Sequence, residues 1–149
     1  MAMDVLSPVA GRAIPLTEVP DPVFSGGMVG PGVGIDPERA AGTAVAPISG
    51  TIVKLHPHAY VISGDGGSVL VHLGIDTVQL KGEGFTVHAT EGTSVAAGEA
   101  IVSWDPAAVE AGGKSPAVPV VALEGAAAQL SAVVESGAVA AGDVLFVWG

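Results

Sequence analysis

Apolar residues in this chain do not follow a helical period. They fall into short β-branched runs separated by Gly, Pro and Asp. Six are clear: residues 48–55, 60–63, 68–73, 100–104, 117–123 and 144–148. Several strands of this length with turn residues between them predict an all-β sandwich or barrel. Asp65-Gly66-Gly67 lies between two runs and predicts a hairpin, since Gly takes positive φ without steric cost. One helix is predicted at 105–111, with Asp105 as cap, Pro106 at the first position and Gly112-Gly113 as the stop. The Ala-rich stretch 125–136 has room for a further helical turn.

The runs repeat. Residues 7–16 (SPVAGRAIPL) align with 46–55 (APISGTIVKL) at an offset of 39, and 95–104 (VAAGEAIVSW) with 139–148 (VAAGDVLFVW) at an offset of 44. The punctuating Gly and Pro coincide along with the apolar residues. A duplicated β motif packed on itself explains this better than chance in a Gly/Ala/Val-rich composition.

Composition refines the picture. The 149 residues suit one domain with a real core. Aromatics are 4% against 49% hydrophobic residues, so the core is built from Val, Ile, Leu and Ala. With Gly 22 and Pro 11, long helices are not expected. A net charge of −10 argues against nucleic-acid binding and against attraction to anionic membrane, and suits steering of a basic protein partner. Mean hydropathy is +0.59, yet the longest stretches free of Asp, Glu, Lys and Arg are 14 residues (22–35 and 40–53). That is short of the roughly 20 that span a bilayer. The N-terminal residues show no basic region before an apolar run, so no signal peptide and a cytoplasmic location are expected. Without cysteine, disulfides, thiolate catalysis and Cys-ligated metal are excluded.

Three of the four histidines, His56, His58 and His72, fall within 17 positions. His88 stands apart and reads as a surface residue. His72 follows the alternating run 68–71, where a polar ring beside Val71 and Leu73 is unusual, and Gly74 then ends the strand. The segment from His72 through Leu-Gly-Ile-Asp-Thr-Val-Gln-Leu-Lys-Gly-Glu-Gly to Phe85 is highly specific. With Pro47-Ile48-Ser49-Gly50-Thr51-Ile52 upstream, it resembles the glucose-type IIA component of the bacterial phosphoenolpyruvate-dependent sugar phosphotransferase system. The resemblance covers essentially the whole chain, residues 1–149, as a single domain.

The resemblance implies a duplicated β-sandwich and a phosphoryl carrier. His72 is then the phosphorylated nucleophile and His58 its neighbour, positioning the phosphoryl group. Asp21 and Asp76 would meet basic residues of a partner, and Val23, Phe24 and Val29 would form an exposed apolar docking patch. The implied partners are the histidine-containing phosphocarrier protein HPr, as donor, and the cysteine of a IIB domain in a membrane permease. No cofactor and no resident metal are expected, and no nucleotide-binding loop is present. Which sugar is served (glucose, N-acetylglucosamine or a β-glucoside) and whether regulatory protein targets exist stay open.

The turn 54–58 is shorter than in the family, and His56 stands roughly where many members carry a Thr that orients the phosphorylated ring. The role of His56 is therefore open. Two other readings exist. His56-Pro57-His58 with His72 and Asp76 supplies zinc-hydrolase ligands on paper, but in reversed order and without a general base. The flanks 46–53 and 91–98 resemble biotinyl or lipoyl carriers, but no lysine hairpin lies between them.

Overall fold

Gly and Pro cut the chain into short strands, as their inability to sustain regular structure requires. The computed structural model describes residues 2–149. In chain order the strands are β1 (Met3–Leu6), β2 (Gly11–Pro15), β3 (Gly32–Pro37), β4 (Gly42–Val45), β5 (Gly50–His56), β6 (Ala59–Gly64) and β7 (Gly67–His72). They continue with β8 (Thr86–Val87), β9 (Ser94–Val95), β10 (Ala100–Trp104), β11 (Val118–Ala122), β12 (Leu130–Ser131), β13 (Ala138–Val139) and β14 (Val144–Trp148). Among the described residues there are two helices, α1 (Pro22–Ser25) and α2 (Pro106–Ala111), with three single turns of 3₁₀ helix. One of these, Ala127–Gln129, is the turn expected within 125–136.

An eight-stranded antiparallel sheet, β13-β2-β3-β11-β7-β6-β5-β9, packs with two three-stranded sheets, β1-β14-β12 and β4-β10-β8, as a β-sandwich. The register reveals the duplication. Leu6 pairs with Val144 and Val45 with Ala100, and each ladder has a bulge next to that pair. Gly11 pairs with Val139 as Gly50 pairs with Val95. The copies also bond reciprocally: Leu6 N–H donates to the Pro47 carbonyl and Val45 N–H to the Pro8 carbonyl, both at 2.9 Å. Positions 6 and 45, and 8 and 47, are equivalent at the sequence offset.

The main core lies on one face of the large sheet, with Val69, Val71, Val118, Val120, Val33 and Ile35 among its members. The other face carries a smaller cluster, Leu16, Val19, Phe24, Ile75, Ala117 and Val121, with Leu70 packed against it. β11 is buried on both sides, which is why its sequence is a continuous apolar run rather than an alternation. The hairpin between β6 and β7 turns at Asp65-Gly66, with Gly64 paired to Gly67. The positive φ falls at Gly67 (142°), one residue past the turn, where a Cβ would strike the Trp148 ring.

Candidate functional site

Strand period decides where His72 points. In β7, Val69 and Val71 enter the main core, so Leu70 and His72 face the smaller cluster. β7 ends at His72, and Gly74 takes φ 81° there. A Cβ on Gly74 would come within 2.6 Å of Thr77 Cγ2 and 3.1 Å of the Ser115 carbonyl oxygen, so only glycine fits. Thr77 is fully buried and donates its hydroxyl to the Leu73 carbonyl at 2.8 Å, which closes the turn. The turn brings the Gly74 carbonyl oxygen to 2.5 Å from His72 Nδ1. A carbonyl only accepts, so Nδ1 carries the proton and Nε2 keeps its lone pair.

His58 arrives from the β5–β6 hairpin. His56 pairs with Ala59 across it, which makes Pro57 and His58 the turn. The His58 carbonyl accepts the Leu73 N–H at 2.7 Å and ties the hairpin to the end of β7. The His58 ring meets His72 edge-on, with centroids 5.1 Å apart and planes at 68°. His56 is exposed, and its ring stacks on His58 at 5.7 Å and 23°. The sequence cluster of three histidines is thus one row of rings, while His88 is exposed and bonded through Nε2 to Ser103 Oγ at 2.6 Å.

Phe24 completes the row from the far side, 5.4 Å from His72. It comes from α1, which forms because Asp21 Oδ1 accepts the Val23 N–H at 2.9 Å and Pro22 occupies the first position. This helix went unread in the sequence although Asp21-Pro22 repeats the signature of Asp105-Pro106. The expectation that Phe24 is part of an exposed patch does not hold: it is 7% exposed and belongs to the smaller core cluster. One turn of helix has too little apolar surface to spare, so its single aromatic ring anchors it. Val29 is half-buried against the same cluster, and Val23 is exposed at 44%. Met28, at 76%, and Val78, at 58%, are exposed apolar residues that sequence reasoning did not single out.

The electrostatics keep both site rings neutral. Desolvation, then the neighbouring His72 and His56, pull the His58 pKa down to about 4. Burial also lowers His72, opposed by the bond to Gly74 and by the charges of Asp21 and Asp76. Those two carboxylates therefore lie within electrostatic reach of His72, Asp76 from an exposed left-handed position at φ 59°. No group of three or more His, Asp or Glu side chains among the described residues is gathered to hold a metal ion.

The β-sandwich is the fold of phosphotransferase-system EIIA proteins, which transfer phosphate through histidine. The chain belongs to the EIIA 1 family of the phosphoenolpyruvate-dependent sugar phosphotransferase system, whose sequence model matches residues 3–128. It is 41% identical over 120 residues to the glucose-specific EIIA component of Bacillus cereus, covering 78% of this chain and 72% of that one. It is 46% identical over 106 residues to the mannose-specific EIIBCA component of Corynebacterium glutamicum, covering 69% of this chain. Of that relative and a glucose-specific one from the same species, the chain spans about a sixth, 15% and 16%. Glucose permease IIA from Mycoplasma capricolum has the same fold, with a TM-score of 0.88 at 35% identity, over 99% of this chain and 96% of that one. No helix among the described residues is long and apolar enough to cross a membrane.

Proposed function

We propose that Nε2 of His72 takes a phosphoryl group from the phosphohistidine of the phosphocarrier protein HPr and hands it to the cysteine of a IIB domain, in uptake of a glucose-class sugar. The observation that carries this reading is the bond from Nδ1–H to the Gly74 carbonyl. It leaves Nε2 as the one nucleophilic nitrogen of the ring and fixes the direction of its lone pair. Attack by Nε2 forms the new N–P bond as the donor's N–P bond breaks, and the donor imidazole leaves with the electron pair. Phosphoryl transfer asks for little covalent chemistry from the protein, so alignment and charge stabilisation dominate. On this reading His58, its ring centroid 5.1 Å from that of His72, hydrogen-bonds the phosphoryl oxygens. Asp21 and Asp76 beside His72, and the exposed Val23, Met28 and Val78 on the segments that carry them, are the groups this reading offers to a basic, partly apolar partner.

The IIB partner is supported by relatives named EIIBCA and EIICBA components, and the glucose class by relatives named glucose-specific. Incubation with phosphoenolpyruvate and the two upstream proteins is expected to add one acid-labile phosphate per chain. His72→Ala is expected to abolish it; full uptake by that variant refutes the assignment.

A further inference from the structure

Phosphoryl transfer across this site needs two imidazoles in a fixed relation, but hydrogen bonding fixes only one. Among the described residues, the imidazole nitrogens that form hydrogen bonds are those of His72 and His88. For His58 the bond into the site is made by the backbone carbonyl. The χ2 torsion of a histidine is broad, so an anchored backbone alone leaves the ring free to turn. What it packs against is two other rings: His72, nearly perpendicular to it with centroids 5.1 Å apart, and His56, nearly parallel to it at 5.7 Å.

His56 is well supported for that task. It is the last residue of β5 and is paired with Ala59 across the hairpin, which fixes its backbone. The next residue, Pro57, has a fixed φ and lies over Gly82, where a Cβ would sit 3.3 Å from Pro57 Cγ. The ring of His56 thus rises from a fixed backbone and lies nearly parallel to the ring it faces, with centroids 5.7 Å apart, so that each ring limits how the other turns.

We infer that His56 is a positioning residue: its ring face backs His58 and holds the His58 edge toward the phosphoryl group on His72. The inference rests on His72 as the carrier. What the site uses is the flat aromatic surface of His56, so a phenyl ring serves in its place. His56 touches neither the phosphoryl group nor the attacking nitrogen.

The test follows transfer from the full phosphorylated chain to a glucose-class IIB domain. His56→Ala is expected to lower kcat on the order of tenfold, as loss of alignment near a reacting centre does, with KM for the IIB domain unchanged. His56→Phe is expected to restore kcat to near the wild-type value. In a cycle with His58→Gln, the His56→Ala loss is expected to vanish, because nothing is left to position. Wild-type kcat in His56→Ala overturns the inference, as does a failure of Phe to rescue. A change confined to KM overturns it too and makes His56 a docking contact. His72→Ala is run alongside: full phosphate uptake by that variant sinks the carrier reading itself, separately from any result at His56.

Discussion

At the scale of single residues, the site depends on where protons are. His58 is held neutral, its pKa pulled down to about 4, and burial lowers His72 as well. With Nε2 of His72 as the proposed acceptor, phosphate uptake uses its free lone pair, so its rate is expected to be level from neutral pH upward and to fall in acid as the ring protonates, which a pH–rate profile reads. The same shifts set a stability trend. Below about 6.5 the unfolded chain binds protons that the folded chain resists, so stability drops as pH falls, and the His58 share of that penalty is complete only below about 4. Chemical denaturation between pH 7 and 4 measures it, and His58→Gln is expected to show a shallower decline. That variant is also expected to accept phosphate while passing it on poorly, because Gln keeps a hydrogen-bonding group but cannot take up the proton that an adjacent phosphoryl anion would draw onto the His58 imidazole. Onward transfer at the wild-type rate removes His58 from the mechanism.

At the scale of elements, α1 and α2 share a signature but not a task. Asp21 and Asp105 both cap a helix begun by proline. Replacing either with Ala is expected to cost about 1 kcal/mol of stability. Asp21→Ala is expected also to slow phosphotransfer, more than Asp105→Ala does, since α1 carries Phe24 against His72. Phe24→Ala goes further. Removing a ring that is 7% exposed is expected to cost about 3 kcal/mol and to lower the melting temperature clearly. A Phe24→Ala protein as stable as the wild type would contradict the core assignment. Gly74 is the other hinge of the site: its alanine variant places a methyl group against Thr77 and moves the carbonyl that sets the His72 tautomer.

At the scale of the whole molecule, the net charge of −10 is long-range information for a basic partner. Association is expected to slow as salt rises, over a Debye length of about 10 Å at 0.1 M. Asp21→Asn combined with Asp76→Asn is expected to flatten that salt dependence without unfolding the chain. Unchanged salt dependence in the double variant would place the acidic docking face elsewhere. The apolar contribution to docking belongs to exposed side chains, so Met28→Ser is expected to weaken the complex at every salt concentration while leaving stability unaltered.

Local chemistry made much of this legible before any coordinates. The β-branched runs, their Gly and Pro punctuation, the Asp105 cap and the two repeats are all short-range features, and the strands at 100–104 and 144–148 begin and end as the pattern predicts. His72 and His58 stood out because three histidines fall within 17 positions and a specific, family-like segment begins at His72. Tertiary structure decided the rest. β1, β3 and β4 escaped notice because their pairing partners lie far away in sequence and supply the burial that their short or Gly-interrupted sequences do not advertise. Phe24 reads equally well as patch or core until α1 is laid on the sheet. The proton on Nδ1 follows from a turn that Gly74 and Thr77 close together. The stack of His56 on His58 exists because a hairpin register sets two rings on one side, a relation between strands that no single stretch of sequence encodes.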